Sequence, residues 1–170
     1  MGNGLLGEEH PYTITAMSNL ALTYQMLEKY ADAEKLQIKV LDLRNTLLGE
    51  EHPDTITAMS NLAVTYYGLE KYADTEKIEM HVLDMRNRLL GGEHPDTINA
   101  MEHLAVTFYH LQRYKDAAKL AVQVVDIRKK VFGEEHPQTV NAVALLAEIR
   151  SQANTKLQEL KPKKGKSYQI

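Results

Sequence analysis

The chain repeats itself. Gly7-Glu8-Glu9-His10-Pro11 returns as Gly49-Glu50-Glu51-His52-Pro53, as Gly91-Gly92-Glu93-His94-Pro95 and as Gly133-Glu134-Glu135-His136-Pro137, a spacing of 42 residues each time. Periods of about 20–50 residues mark solenoids and arrays, in which a unit too small to bury its own apolar face buries it against the next copy. Residues 5–46 and 47–88 agree at 31 of 42 aligned positions. A third copy over 89–130 keeps the apolar and turn positions while changing elsewhere, and a partial fourth occupies 131–160. Three stacked units with a fourth begun offer a long surface to a partner rather than a deep pocket to a substrate.

Inside one repeat the apolar residues fall at helical spacing twice. After Pro53-Asp54-Thr55, where proline is pre-set for a helix start and small polar side chains can accept from free amides, Met59, Leu62, Ala63, Tyr66 and Leu69 line one face of a first helix. The pattern pauses at Glu70-Lys71-Tyr72. It resumes as Ala73, Ile78, Val82, Leu83, Met85, Leu89 and Leu90, the stripe of a second helix that Gly91 stops. The third copy does the same through Met101, Leu104, Ala105, Phe108 and Leu111, then Ala117, Leu120, Val124, Val125 and Ile127. The fourth opens with Pro137-Gln138-Thr139 and runs through Val143, Leu146 and Ala147, but sets Arg150 where the others have Tyr24, Tyr66 and Phe108. The expectation is an all-α superhelix of three helical hairpins closed by one C-terminal helix.

Composition narrows the function. With 44% apolar and 25% charged residues the chain is of globular type and can bury a core. The absence of cysteine excludes disulfides and thiolate zinc sites. No run approaches the ~18 apolar residues of a membrane span, and the start lacks the pattern of a signal peptide, so no membrane partner and a cytoplasmic setting are expected. Met1-Gly2-Asn3-Gly4-Leu5-Leu6 begins like a myristoylation site but has leucine where serine or threonine is wanted. Five lysines against Glu159 make the stretch from Lys156 onward about +4, leaving about −7 for the rest, and the basic end at 161–170 reads as a disordered tail. An acidic repeat body argues against nucleic acid, which needs a basic face on the folded part.

Catalytic and metal chemistry find no support. His10, His52, His94 and His136 recur once per repeat, and packed helices stand about 8–10 Å apart, whereas zinc ligands lie about 2.0 Å from the ion. They therefore read as helix caps or packing groups in the links. His103 and His110 are too far apart along a helix, about 10 Å, to share an ion. The Glu-Glu pairs of the links are adjacent and diverge, and they favour the positive end of the next helix rather than acid/base work. There is no nucleophile elbow and no glycine-rich phosphate loop. No enzyme activity, cofactor or metal is expected.

Asn-Leu-Ala-x-x-Tyr at Asn19–Tyr24 and Asn61–Tyr66, Lys-Tyr-x-x-Ala at Lys29–Ala33, and the Gly-x-x-His-Pro links together resemble the tetratricopeptide repeat. The resemblance covers about residues 5–150 and is to the longer variety of kinesin light chains and of signalling ATPases of the innate-immune-receptor type. It implies that Ala21, Ala63 and Ala105 let paired helices approach closely, with Tyr24, Tyr66 and Phe108 beside them. The sequence departs from the family at Gln37, Glu79 and Ala121, where a large residue is usual, and at Thr75, where alanine is usual.

The resemblance also implies that the first helix of each hairpin lines a concave groove. On that face Asn19, Gln25, Asn61, Tyr67, Asn99, Glu102, His103, Tyr109 and His110 become the candidate partner-binding residues. Asn19 and Asn61 match the asparagine that hydrogen-bonds an extended peptide in kinesin-type repeats, one amide offering both donor and acceptor. The position becomes His103 and Leu145 in the later repeats. The face reads as free of Lys and Arg, which sets aside carboxylate-clamping and acidic-cargo subclasses. Tyr67 and Tyr109 read as projecting anchors. The partner expected is a protein or extended peptide, neutral or basic, with an apolar anchor. Protonation of His103 and His110 near pH 6.5 would weaken a basic ligand. The alternative role is a structural, oligomerising segment of a larger repeat-containing signalling protein. It would associate through its ends, where the first hairpin lacks a predecessor and Val140, Val143, Leu146 and Ile149 close the array.

Overall fold

The computed structural model describes residues 7–159. The myristoylation-like start and the basic tail at 161–170 lie outside them. Among the described residues there are seven helices and no strand: α1 Pro11–Met26, α2 Tyr30–Leu48, α3 Pro53–Gly68, α4 Tyr72–Leu90, α5 Pro95–His110, α6 Tyr114–Phe132 and α7 Pro137–Glu159. Each packs against the next in sequence, and α1 also meets α3. The chain is thus a right-through stack of hairpins, a helical solenoid. None of these helices is long and apolar enough to cross a membrane.

The link histidines start the odd-numbered helices. His52 Nδ1 accepts from the Asp54 amide at 3.1 Å, and His10, His94 and His136 repeat the contact to Tyr12, Asp96 and Gln138. Proline follows each cap at the first helical position. Of the two capping sets the sequence offers, the histidines do the capping and the Asp and Thr side chains do not; Thr55 and Thr97 are buried without a hydroxyl partner. The link glutamates also depart from expectation. Glu8, Glu50 and Glu51 reach Lys39, His81 and Arg88, and Glu93 reaches Lys130, so their charge is spent in exposed ion pairs rather than on a helix dipole alone. Exposed contacts of this kind contribute little to stability, since water screens them.

At the other ends of the even helices, Gly49, Gly91 and Gly133 sit at φ +88°, +87° and +91°, a region that essentially only glycine enters. The hairpin turns carry their own left-handed residue, Glu28, Glu70 and Gln112, with φ between +56° and +58°.

The core follows the stripes with some trimming. Ala21, Ala63 and Ala105 are buried at the helix crossings, as are Met59, Leu62, Val82, Met85, Leu104 and Phe108. Thr75 is accommodated, buried with its hydroxyl donating to the Lys71 carbonyl at 3.1 Å. Ala73, Leu89, Leu90 and Ala147 prove exposed, because they lie at helix ends or on the outer side, beyond the neighbouring helix. In α7 only Ala142, Leu146 and Ile149 of the apolar residues are buried, while Val140 and Val143 remain 53% and 42% exposed. The array ends on an apolar face.

Candidate functional site

The first helices of the hairpins, α1, α3, α5 and α7, are tied to one another by side chains of the candidate groove residues. Gln25 Nε2 donates to the Asn61 carbonyl at 2.9 Å and to Thr65 Oγ1 at 2.6 Å, linking α1 to α3. The Tyr67 hydroxyl lies 2.7 Å from His110 Nε2, linking α3 to α5, and the Tyr109 hydroxyl donates to Glu148 at 3.2 Å, linking α5 to α7. The structure joins Gln25, Tyr67, Tyr109 and His110 to neighbouring helices and so commits them to holding the stack in shape.

Two expectations change as a result. Gln25 is occupied by the next helix, so it is a brace and not an open amide. Tyr67 and Tyr109 are not free-standing anchors: Tyr67 packs edge-on against Tyr72 and His110, and Tyr109 against His110 and Tyr114. Burial, then the neighbouring Tyr72 and Glu79, raise the Tyr67 hydroxyl above its ordinary pKa. His110 lies stacked on Tyr72 at 4.9 Å, its ring framed by tyrosines. Asn19 is exposed and Asn61 half-buried, and neither side-chain amide is engaged among the described residues, so both keep donor and acceptor available.

The face is also not devoid of arginine. Arg128 comes up from α6, only 3% exposed, and donates through both Nη atoms to Glu102, at 2.7 and 2.8 Å. It further reaches Asn99 Oδ1 at 3.3 Å and the Gln138 carbonyl at 3.1 Å. Glu102 is therefore neutralised in place and cannot count as charge for a ligand. Arg44 and Arg86 occupy the same phase of earlier repeats and donate to the Asp54 and Asp96 carbonyls. The sequence carries a signal for this trio, an arginine recurring every 42 residues after Leu-Asp-Leu, Leu-Asp-Met and Val-Asp-Ile, on helices whose apolar stripe otherwise reads as packing.

Between α3 and α5 the face opens into a cavity of about 250 Å³ lined by Val64, Tyr67, Glu79, His103 and Val106. Glu79, on α4, forms its floor at 8% exposure. Burial pushes its carboxyl up to about 7, opposed by the nearby Thr107 hydroxyl, although the two make no well-formed hydrogen bond. His103 lines the cavity while its side chain stays exposed as a whole. Loss of hydration lowers its pKa, against the pull of Glu102 and with a further push from Arg86 and Arg128. Its protonation therefore falls below the pH first expected. No group of three or more His, Cys, Asp or Glu among the described residues is arranged to hold a metal.

Two family models described as tetratricopeptide repeat match the chain, over residues 12–87 and 97–138. Among solved structures it is similar to the nearly identical TPR-like repeats of a Podosopora anserina protein described as a kinesin light chain. That match has 27% identity and a TM-score of 0.77, and covers 89% of this chain and 71% of that one. The Q17M form of the same protein gives 27% identity and a TM-score of 0.78, with 91% and 72% covered. BtubC (BKLC) from P. vanneervenii shares the fold at 17% identity, with a TM-score of 0.74 and 93% and 69% covered. A search of curated proteins gives no significant match. Hairpins of this period, capped and stacked in this way, place the chain in the tetratricopeptide repeat family, in its kinesin-light-chain-like variety.

Proposed function

We propose that the chain is a non-catalytic scaffold that binds an extended peptide of a protein partner along the face made by α1, α3, α5 and α7. The family to which it belongs supplies protein–protein interaction scaffolds. The observation that carries the more specific reading is the cavity between α3 and α5, with the apolar walls Val64 and Val106 and the acidic floor Glu79. The acidic character of this face now rests on Glu79 and Glu148, since Arg128 neutralises Glu102. A neutral or basic peptide with an apolar side chain fits it. A cytoplasmic setting belongs to the same proposal, on the kinship with kinesin-light-chain repeats.

The test is a peptide library screened against wild type and Tyr67→Ala/Tyr109→Ala, with thermal melting recorded alongside. Loss of about 2 kcal/mol of binding, roughly thirtyfold, is expected in the double variant. Some loss of stability should accompany it, because both rings bridge helices. Equal binding by both proteins, or hits that are chiefly acidic, would sink the reading.

A second reading draws on the ends. Val140 and Val143 on α7, and Tyr12, Leu20 and Met26 on α1, are exposed apolar side chains at opposite ends of the stack. A second copy stacking on one of these ends would make the chain an oligomerising segment, with open chains the risk if symmetry does not close the contact. Mass measured across micromolar concentrations, for wild type and Val140→Lys/Val143→Lys, decides this: a strictly monomeric wild type removes it.

A further inference from the structure

The cavity exists because one position of the repeat changes chemistry at each level. In the first level Gln25 donates to the Thr65 hydroxyl at 2.6 Å, and that hydroxyl donates to Gln37 Oε1 at 2.6 Å, so a chain of side chains links α1, α3 and α2, with only Gln37 Nε2 left unpartnered. Forty-two residues on, the same three positions are Tyr67, Thr107 and Glu79. Tyr67 turns away to His110, and the bridge from the first helix is missing. Thr107 Oγ1 and Glu79 Oε2 are left buried and without a partner. In the third level the positions are Tyr109, Ile149 and Ala121, and the polar chemistry is gone. A buried oxygen without a partner is costly, more so when charged, and in the middle level only the neutral Thr107 hydroxyl stands near the carboxylate, with no counterpart of the Gln25 amide.

We propose that this cavity takes one lysine side chain of an extended partner peptide. Its methylene stem would lie between Val64 and Val106, and its ammonium against the Glu79 carboxylate at the floor. The inference rests on the groove reading for the peptide, but the pocket itself stands on its own geometry. A lysine suits it because the walls are apolar while a carboxylate sits at the floor, and an ammonium on a flexible stem meets it as a compact charge. Gln25 shows what a donor placed there achieves in the first level.

The groups facing Glu79 do not oppose such a ligand. Tyr67 comes from α3, Thr107 and the ring of His103 from α5, and Arg86 from α4 itself. The Arg86 guanidinium lines a small adjoining cavity with Glu79 and His103, but it donates to the Asp96 carbonyl at 3.2 Å and does not hold the Glu79 carboxyl down. Because burial holds the Glu79 carboxyl up near 7, a lysine would displace its proton, and binding should strengthen as pH rises through that value.

The lysine side-chain analogue n-butylammonium tests the pocket directly, by amide NMR shifts in wild type, Glu79→Gln and Glu79→Ala. The two variants reproduce the residues of the first and third levels, Gln37 and Ala121, and should fold. Saturable shifts at Val64, Tyr67, His103 and Val106 are expected in wild type, with at least tenfold weaker binding in both variants and none for n-butanol. Shifts elsewhere, or equal binding by Glu79→Gln, overturn the proposal. Tighter binding of ethylguanidinium would overturn the assignment to lysine in favour of arginine. In parallel, peptides selected on wild type should lose at least tenfold on Lys→norleucine replacement. Peptides that bind the face without a lysine preference, together with a silent n-butylammonium titration, would sink this inference and leave the groove intact. An n-butylammonium response with no groove peptides would do the reverse.

Discussion

Arg128 and Glu102 form a two-pronged ion pair across α6 and α5, with both nitrogen–oxygen distances at 2.7–2.8 Å and the guanidinium almost wholly buried. The pair fastens the last two levels of the stack, because the same arginine also holds the Gln138 carbonyl at the start of α7. Removing the carboxylate strands a buried cation. For Glu102→Ala the expected loss is about 2–4 kcal/mol, toward the lower end of the range for a broken buried pair because Glu102 keeps some contact with water. Urea unfolding that leaves the midpoint and slope unchanged would refute this.

Ala63 lies at the crossing of α3 and α4 and is 2% exposed. Ala63→Leu must push helices apart or force a poor rotamer, at about 1–3 kcal/mol. The middle repeat has a neighbour on each side, so the damage should not be confined to one end. Thermal melting at the wild-type temperature would show that the crossing is looser than its burial implies.

Gly91 ends α4 at φ +87° and ψ 160°, with nothing within 4 Å of the place a Cβ would occupy. The cost of Gly91→Ala is therefore backbone strain and not collision, about 1–3 kcal/mol. Gly92→Ala, where no left-handed φ is needed, is the matched control and should cost less. Equal denaturation midpoints for the two variants would contradict the assignment.

Glu79 makes stability depend on pH in an uncommon direction for a carboxylate. Its folded pKa is raised, from 4.5 to about 7, so the folded chain holds its proton more tightly than the unfolded chain does. The resulting stabilisation is fully present below about 4.5 and is lost as pH rises to about 7, on the order of 3 kcal/mol. The difference in stability between wild type and Glu79→Gln, measured at several pH values across that window, should drift against wild type as pH rises. A difference that stays constant would mean that Glu79 titrates as an exposed acid.

What the sequence determined by itself is the repeated part of the protein. A 42-residue period, proline after histidine, glycine after the second apolar stripe and alanine at the crossings are local or periodic demands. Each is met by residues within one hairpin or its neighbour, and the seven helices follow from them. The departures arise where a residue's fate depends on a partner from another level. Arg128 pairs with Glu102 across 26 positions, and Tyr67 leaves its own level to meet His110, 43 positions on. Glu79 reads in the sequence as a departure from a usual residue, and only its placement beneath Val64 and Val106, with Gln25's counterpart turned away, makes it the floor of a cavity. Helix formation is written in short-range periodicity, whereas burial of a charge and the satisfaction of a hydroxyl depend on what the next helix sets opposite them. That opposition is decided by the stacking of the repeats.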